Sequence, residues 1–149
     1  MAEKIMFFID FDGTISKENV CSKMVRKFAR EGWEELYRLW AEGALSTEEC
    51  AGRTLDLMEV KPEELEVFFK MVYIDESFIA FVSWAEIKEY PLYILSDGYD
   101  NYIQEVLMQH GLNIPYYANH MEYEQGWRIK CLHGDEECKK CGVCKTRLV

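Results

Sequence analysis

The sequence predicts an α/β fold: an open parallel sheet in three layers, α/β/α, with a helical bundle inserted after the first strand. Three observations predict it. Ile5 to Ile9 is apolar on both faces, as in a central parallel strand covered by helices on each side, and stops abruptly on Asp10-Phe11-Asp12-Gly13-Thr14. From Lys17 to Glu89 the apolar residues recur at helical spacing. After Pro91 a second apolar run, Leu92 to Leu95, ends on Ser96-Asp97-Gly98. Strand, helical insertion, strand, helix, strand is the order of an open α/β sheet, whose chemistry collects beyond the carboxyl ends of its strands.

Each element has a local reason. Val20, Met24 and Phe28 make one stripe, which stops at Gly32, and Trp33, Leu36, Leu39 and Trp40 make the next before Gly43. Ser46 with Glu49 is a capping box leading into Cys50, Leu55 and Met58. Pro62 suits a first helical position, ahead of Leu65, Phe68, Phe69 and Val72. Asp75 or Ser77 caps a fifth helix carrying Phe78, Phe81, Val82 and Ala85. These aromatic and methionine stripes read as helix packing. A helix with Ile103, Val106 and Leu107 follows the second strand and ends at Gly111, Ile114 to Tyr117 is a third strand, and Glu122 to Lys130 is a hairpin turning near Gln125-Gly126. The expected division is a core of residues 1–16 and 86–149 with a cap of residues 17–85.

Composition narrows the function. The chain has 149 residues, 49% of them hydrophobic, enough for one compact domain. A net charge of -10 argues against a nucleic-acid partner, which selects a basic face. An anionic small substrate would need its positive field supplied locally, by a metal, a lysine or backbone N–H groups. No apolar stretch is long enough for a bilayer, and the N-terminus lacks the zones of a secretory signal, so the expected setting is cytoplasmic, without membrane association.

Along an extended segment, side chains two apart share a face, so Asp10 and Asp12 point into one site and Phe11 points away. Two carboxylates that close stay ionised when a divalent cation sits between them, or share the charge when one holds a proton. Their uses are metal ligation with nucleophilic attack by one and proton transfer by the other. Gly13 lets the backbone bend, which can turn N–H groups towards an anion. The competing reading is an Asp-Gly turn with both aspartates solvated.

These residues resemble the haloacid dehalogenase superfamily of phosphotransferases. DFDGT, Asp10 to Thr14, is similar to the first motif of that family, ILSDG, Ile94 to Gly98, to the second, and CGVCK, Cys141 to Lys145, to the third in one subgroup. The helical insertion occupies the family's cap position. WAEGALSTEEC, Trp40 to Cys50, and the terminal CGVCK resemble the phosphoserine-phosphatase-like branch, and within it the methionine-salvage phosphatases that act on a hydroxy-keto-methylthiopentenyl phosphate.

The resemblance implies a Mg²⁺-dependent phosphomonoester hydrolase acting on a small phosphorylated metabolite. Asp10 would attack phosphorus to form an aspartyl phosphate; Asp12 would serve as acid and then base, with its backbone carbonyl joining Asp10 in ligating Mg²⁺. Ser96, Asp97 and Gly98, with Gly13 and Thr14, would surround the phosphate, and Lys145 would neutralise charge on it and on Asp10. Taken singly, Ser96 reads as a helix N-cap and Lys145 as a solvated lysine. One departure stands out: the family's fourth motif, an acidic G-D-G-x-x-D that completes the Mg²⁺ site, has no counterpart after Lys145. The expectation is a sheet short of a strand at its C-terminal end, with one side of the first strand unpaired. The chain is then a truncated product, is completed by a missing half or a second copy, or has lost turnover.

The cysteines raise a further possibility. Of six, four crowd the last twenty residues: Cys131, Cys138, Cys141 and Cys144. With His133 nearby they offer thiolates to one tetrahedral Zn²⁺ that would clamp the loop presenting Lys145. An iron–sulfur cluster matches the spacing only in part. The alternative is that Cys141 and Cys144 belong to the third motif and the others are reduced, unligated thiols. Cys21 and Cys50 read as small core residues. His110 and His120 carry no partner pattern.

Overall fold

The structure is a computed structural model that describes residues 4–137 and 140–149. The elements run β1 (Phe7–Ile9), α1 (Val20–Phe28), α2 (Trp33–Ala41), α3 (Thr47–Asp56), α4 (Pro62–Lys70), α5 (Glu76–Ile87), β2 (Leu92–Tyr99), α6 (Asp100–Gln109), β3 (Tyr116–Tyr123), β4 (Trp127–Lys130) and α7 (Lys145–Leu148). The sheet order is β1-β2-β3-β4, with β1, β2 and β3 parallel and β4 antiparallel. This is the open α/β sheet that the sequence predicts, with five helices between the first two strands.

The helix signals act locally. Asn19 caps α1 through the Ser22 N–H, Ser46 and Glu49 close their capping box at α3, Pro62 opens α4, and Asp75 rather than Ser77 caps α5. Each such side-chain cap contributes about 1 kcal/mol by satisfying a helix-end donor that nothing else reaches. Among the described residues, no helix is long and apolar enough to cross a membrane.

β1 is shorter than the apolar run suggests, and it lies at the edge of the sheet, with one side unpaired among the described residues as expected, rather than in its middle. Phe7 faces α5 and meets the rings of Phe81 and Trp84 edge-on, with centroids 5.2 and 6.1 Å away. Phe8 points the other way, stacks on Tyr93 and stays 37% exposed. Apolarity on both faces therefore marks a strand whose second face is only thinly covered. β3 begins two residues later than expected and runs straight into the hairpin, whose turn sets Gln125 at φ 61°. Trp127 of β4 donates its indole N–H to the Val60 carbonyl at 2.8 Å, fastening the hairpin to the loop between α3 and α4.

One irregularity shapes everything at the carboxyl end. Leu95 pairs with Tyr117 and Tyr99 with Asn119, so four steps along β2 match two along β3. The two surplus residues make Ser96-Asp97-Gly98, opposite Ala118 alone, bulge out of the ladder next to the exit of β1.

Candidate active site

The exits of β1 and β2, the first turn of α1, one face each of α2 and α3, and the start of α7 enclose a cavity of about 380 Å³. Its floor carries Asp10, Asp12, Ser96, Asp97, Gly98 and Lys145. Six residues spread from position 10 to 145 thus meet in one place, because parallel strands end side by side and α7 returns to the same edge.

The Lys145 Nζ donates to Asp10 Oδ1 at 2.9 Å, and both side chains remain about two-fifths exposed, at 40% and 45%. Phe11, between the two aspartates, is fully buried against Tyr102, as alternation along the strand requires. Asp12 is held far more tightly than Asp10. Its Oδ1 accepts the Val20 N–H at 2.7 Å and the Cys21 N–H at 3.3 Å, and its Oδ2 accepts the Tyr102 hydroxyl at 2.6 Å. Burial raises the Asp12 pKa above its ordinary value; the Tyr102, Val20 and Cys21 bonds pull it back, and the charge of Asp10 adds to the rise. A carboxyl so placed holds a proton more readily than a solvated aspartate does. Gly98 makes room for it, since a Cβ there would collide with the Tyr102 hydroxyl and Asp12 Oδ2.

Ser96 is fully buried, and its Oγ accepts the Gly98 N–H at 2.9 Å, which leaves the hydroxyl hydrogen for an acceptor in the cavity. It does not cap α6, which begins at Asp100 after Tyr99. Asp97 Oδ1 accepts the Val143 N–H at 3.1 Å and so ties the bulge to the loop leading into α7.

Two expected phosphate contacts are not in this cavity. Gly13, at φ 72°, gives its N–H to Ser16 Oγ at 3.1 Å, and the Thr14 N–H goes to the Phe11 carbonyl at 3.1 Å. Both donors are consumed by the turn, and neither residue lines the cavity. The cysteine cluster also differs from expectation. Among the described residues no three His, Cys, Asp or Glu side chains converge to hold a metal, and Cys138 lies outside the described residues. Burial, helped by the negative charges of Glu48 and Asp97, pushes the Cys131 thiol up to about 11. Zinc therefore draws no support here.

A hard cation would find oxygen donors only in kind. The Asp12 carboxylate already accepts three hydrogen bonds, so its backbone carbonyl is better placed than its side chain to serve a cation. The Asp10 carboxylate, exposed and facing the cavity, fits the oxygen preference of Mg²⁺.

The upper wall comes from the inserted helices: Cys21, Val25, Tyr37, Trp40, Cys50 and Leu55. Cys21 and Cys50 line this wall, a role that their small apolar character concealed. Burial, then the nearby Asp12 and Cys50, pushes the Cys21 thiol up to about 12, so it lines the site as a neutral group. Tyr102 and Asn119 escape sequence reading altogether, since nothing in their spacing marks them.

Three motifs in family order now sit around one cavity, and the profile of the haloacid dehalogenase-like hydrolases matches residues 7–143. The chain belongs to that family. It is similar to a 2-hydroxy-3-keto-5-methylthiopentenyl-1-phosphate phosphatase of Brevibacillus brevis (strain 47 / JCM 6285 / NBRC 100599), 29% identical over 100% of this chain and 70% of the relative. A namesake from Lysinibacillus sphaericus (strain C3-41) is 29% identical over 98% of this chain and 68% of the relative. Among solved structures, a phosphoserine phosphatase with a phospho-aspartyl intermediate analogue superposes with TM-score 0.68 at 19% identity, over 87% of this chain and 64% of that one. Phosphoserine phosphatase from T. onnurineus gives 0.71 at 16%, over 89% and 66%. The chain thus spans just under two thirds of the length of these solved relatives. At such identities the likeness speaks for the fold of this haloacid dehalogenase-like hydrolase.

Proposed function

We propose that this chain is a phosphomonoester hydrolase for a small phosphorylated metabolite, working through an aspartyl phosphate on Asp10 with Mg²⁺ as cofactor. The observation that carries the reading is the Lys145–Asp10 contact at 2.9 Å inside a cavity that also holds Asp12 and Ser96. An Asp10 oxygen attacks phosphorus as the ester bond breaks, and Asp12 gives its proton to the departing alkoxide. A water then attacks phosphorus of the acyl phosphate while Asp12 takes the water's proton, releasing inorganic phosphate and restoring Asp10. Lys145 and the Ser96 hydroxyl offset the charge on the phosphoryl oxygens. Mg²⁺, held by the Asp10 carboxylate and the Asp12 carbonyl, would supply further charge neutralisation when bound.

The wall chemistry favours an uncharged leaving group. Among the described residues the charged groups lining the cavity are Asp10, Asp12, Asp97 and Lys145, and the Lys145 ammonium is engaged by Asp10. The carboxylate of a phosphoserine would meet no further cation among the described residues, whereas a neutral chain suits Val25, Trp40, Leu55 and two protonated thiols. This supports an ester like the one named for the Brevibacillus brevis relative over phosphoserine. The proposed setting is the cytoplasm.

The test is hydrolysis of p-nitrophenyl phosphate with and without Mg²⁺, beside Asp10→Asn. We expect Mg²⁺-dependent turnover that the substitution abolishes; turnover that survives it removes the covalent scheme.

A second reading, that turnover requires another polypeptide or a second copy, is favoured by the open edge of β1, where Met6 and Phe8 are 47% and 37% exposed. Its mark would be an inactive monomer in size-exclusion chromatography whose activity appears only with assembly.

A further inference from the structure

Asn119 is fully buried in β3, yet only half of its amide is used. Its Nδ2 donates to the Asp97 backbone carbonyl at 2.9 Å, while Oδ1 has no hydrogen-bond partner among the described residues. A buried acceptor left unpaired opposes folding, and an apolar side chain of similar volume would avoid that penalty. The amide is thus held for its donor. The reason lies in the bulge: with Ser96-Asp97-Gly98 out of register, the Asp97 carbonyl has lost its place in the ladder, and Asn119 supplies the replacement bond.

The chain of contacts continues to the reactive edge. Asp97 Oδ1 holds the Val143 N–H at 3.1 Å, two residues before Lys145, and the Cys144 N–H is anchored on the His133 carbonyl at 2.8 Å. Gly142 packs directly on Asn119: a Cβ there would lie 2.6 Å from Nδ2 and 2.9 Å from Oδ1. The amide thus touches both loops at once, the bulge through a hydrogen bond and the α7 approach through van der Waals contact.

We propose that Asn119 is a positioning residue that latches the Ser96–Gly98 bulge to the Gly142–Val143 loop and thereby sets Lys145 against Asp10. It touches neither substrate nor reacting atoms. The inference rests on the phosphatase reading, because it assigns Asn119 to the placement of a charge used in that reaction.

The test uses the full chain with p-nitrophenyl phosphate and Mg²⁺, and reads kcat, KM and amide hydrogen exchange at Val143. Asn119→Ala should lower kcat by about 10- to 100-fold with KM changed less, as expected of a displaced group near the reacting atoms. Val143 exchange should speed up at least about tenfold as its loop is released. Gly142→Ala, which leaves Asn119 intact but wedges a Cβ against it, should reproduce both effects, and the double substitution should be no worse than either alone. In a Lys145→Gln background, Asn119→Ala should cost little more in kcat. If instead it costs as much there as in the wild type, or if Val143 exchange does not change in either variant, the latch is overturned. An inactive wild type would sink the phosphatase reading; an active wild type indifferent to Asn119 would sink this inference alone. Gly142→Ala decides the matter should Asn119→Ala fail to fold.

Discussion

The Tyr102 hydroxyl donates to Asp12 Oδ2 at 2.6 Å, joining residues ninety positions apart. Tyr102 is fully buried, packed between Phe11 and Phe69, and it shares Asp12 with the first two N–H groups of α1. One carboxyl is therefore bonded to both the inserted helices and the helix after β2. A change at Asp12 is felt on both sides of the cavity.

Tyr102→Phe tests the tyrosine's part. The hydroxyl stabilises the ionised carboxyl, so its loss raises the Asp12 pKa further. The limb of the pH–rate profile belonging to Asp12 should move to higher pH, and chemical denaturation should show a loss of about 1–2 kcal/mol from a buried acceptor deprived of its donor. A limb that moves to lower pH would contradict the arrangement.

Asp12→Asn should change stability in a pH-dependent way. Because the native pKa is raised, this group's favourable contribution is present below the unfolded value of 3.8 and is lost as pH rises through the raised native value. At neutral pH the buried charge is a burden. Asparagine avoids it, while its oxygen can still accept the α1 N–H groups and its amide can donate to the Tyr102 hydroxyl. Thermal melts should show Asp12→Asn above the wild type at pH 7, with the gap closing towards pH 4. A gap that widens in acid would reverse the sign argued here.

Lys145→Gln should separate activity from folding. The ion pair with Asp10 is substantially exposed, so its removal should shift the melting temperature little. In kcat/KM we expect a fall of about 100-fold or more, the scale on which a fixed charge at a phosphoryl group acts. Steady-state kinetics beside a melting curve decides between this and a solvated lysine.

Gly98→Ala should be severe in both respects. Its Cβ has no space between the Tyr102 hydroxyl and Asp12 Oδ2, and those groups are held from several sides. Overpacking there should destabilise the fold by about 3 kcal/mol. A variant that melts like the wild type would show that the bulge can yield.

What the sequence by itself determined was local. Helix starts at Asn19, Ser46 and Asp75 follow from side chains that satisfy their own helix ends, and Pro62 opens α4 where its missing N–H costs nothing; these need no tertiary partner. The side-by-side placement of Asp10 and Asp12 follows from strand alternation alone, and the Ser96 and Lys145 positions were legible because recognisable short motifs carry them. The tertiary structure decided which groups are spent and which remain available. The Gly13 and Thr14 N–H groups look like anion donors in one dimension, but the turn consumes them; Cys21 and Cys50 pack with the core as their small apolar side chains suggest, and the helix faces bearing them also close over the cavity. Tyr102 and Asn119 carry no spacing signal. They matter because the Asp12 carboxyl beyond β1 and the Asp97 carbonyl in the β2 bulge need donors, and only the packing of distant segments determines which side chain comes within 3 Å of them.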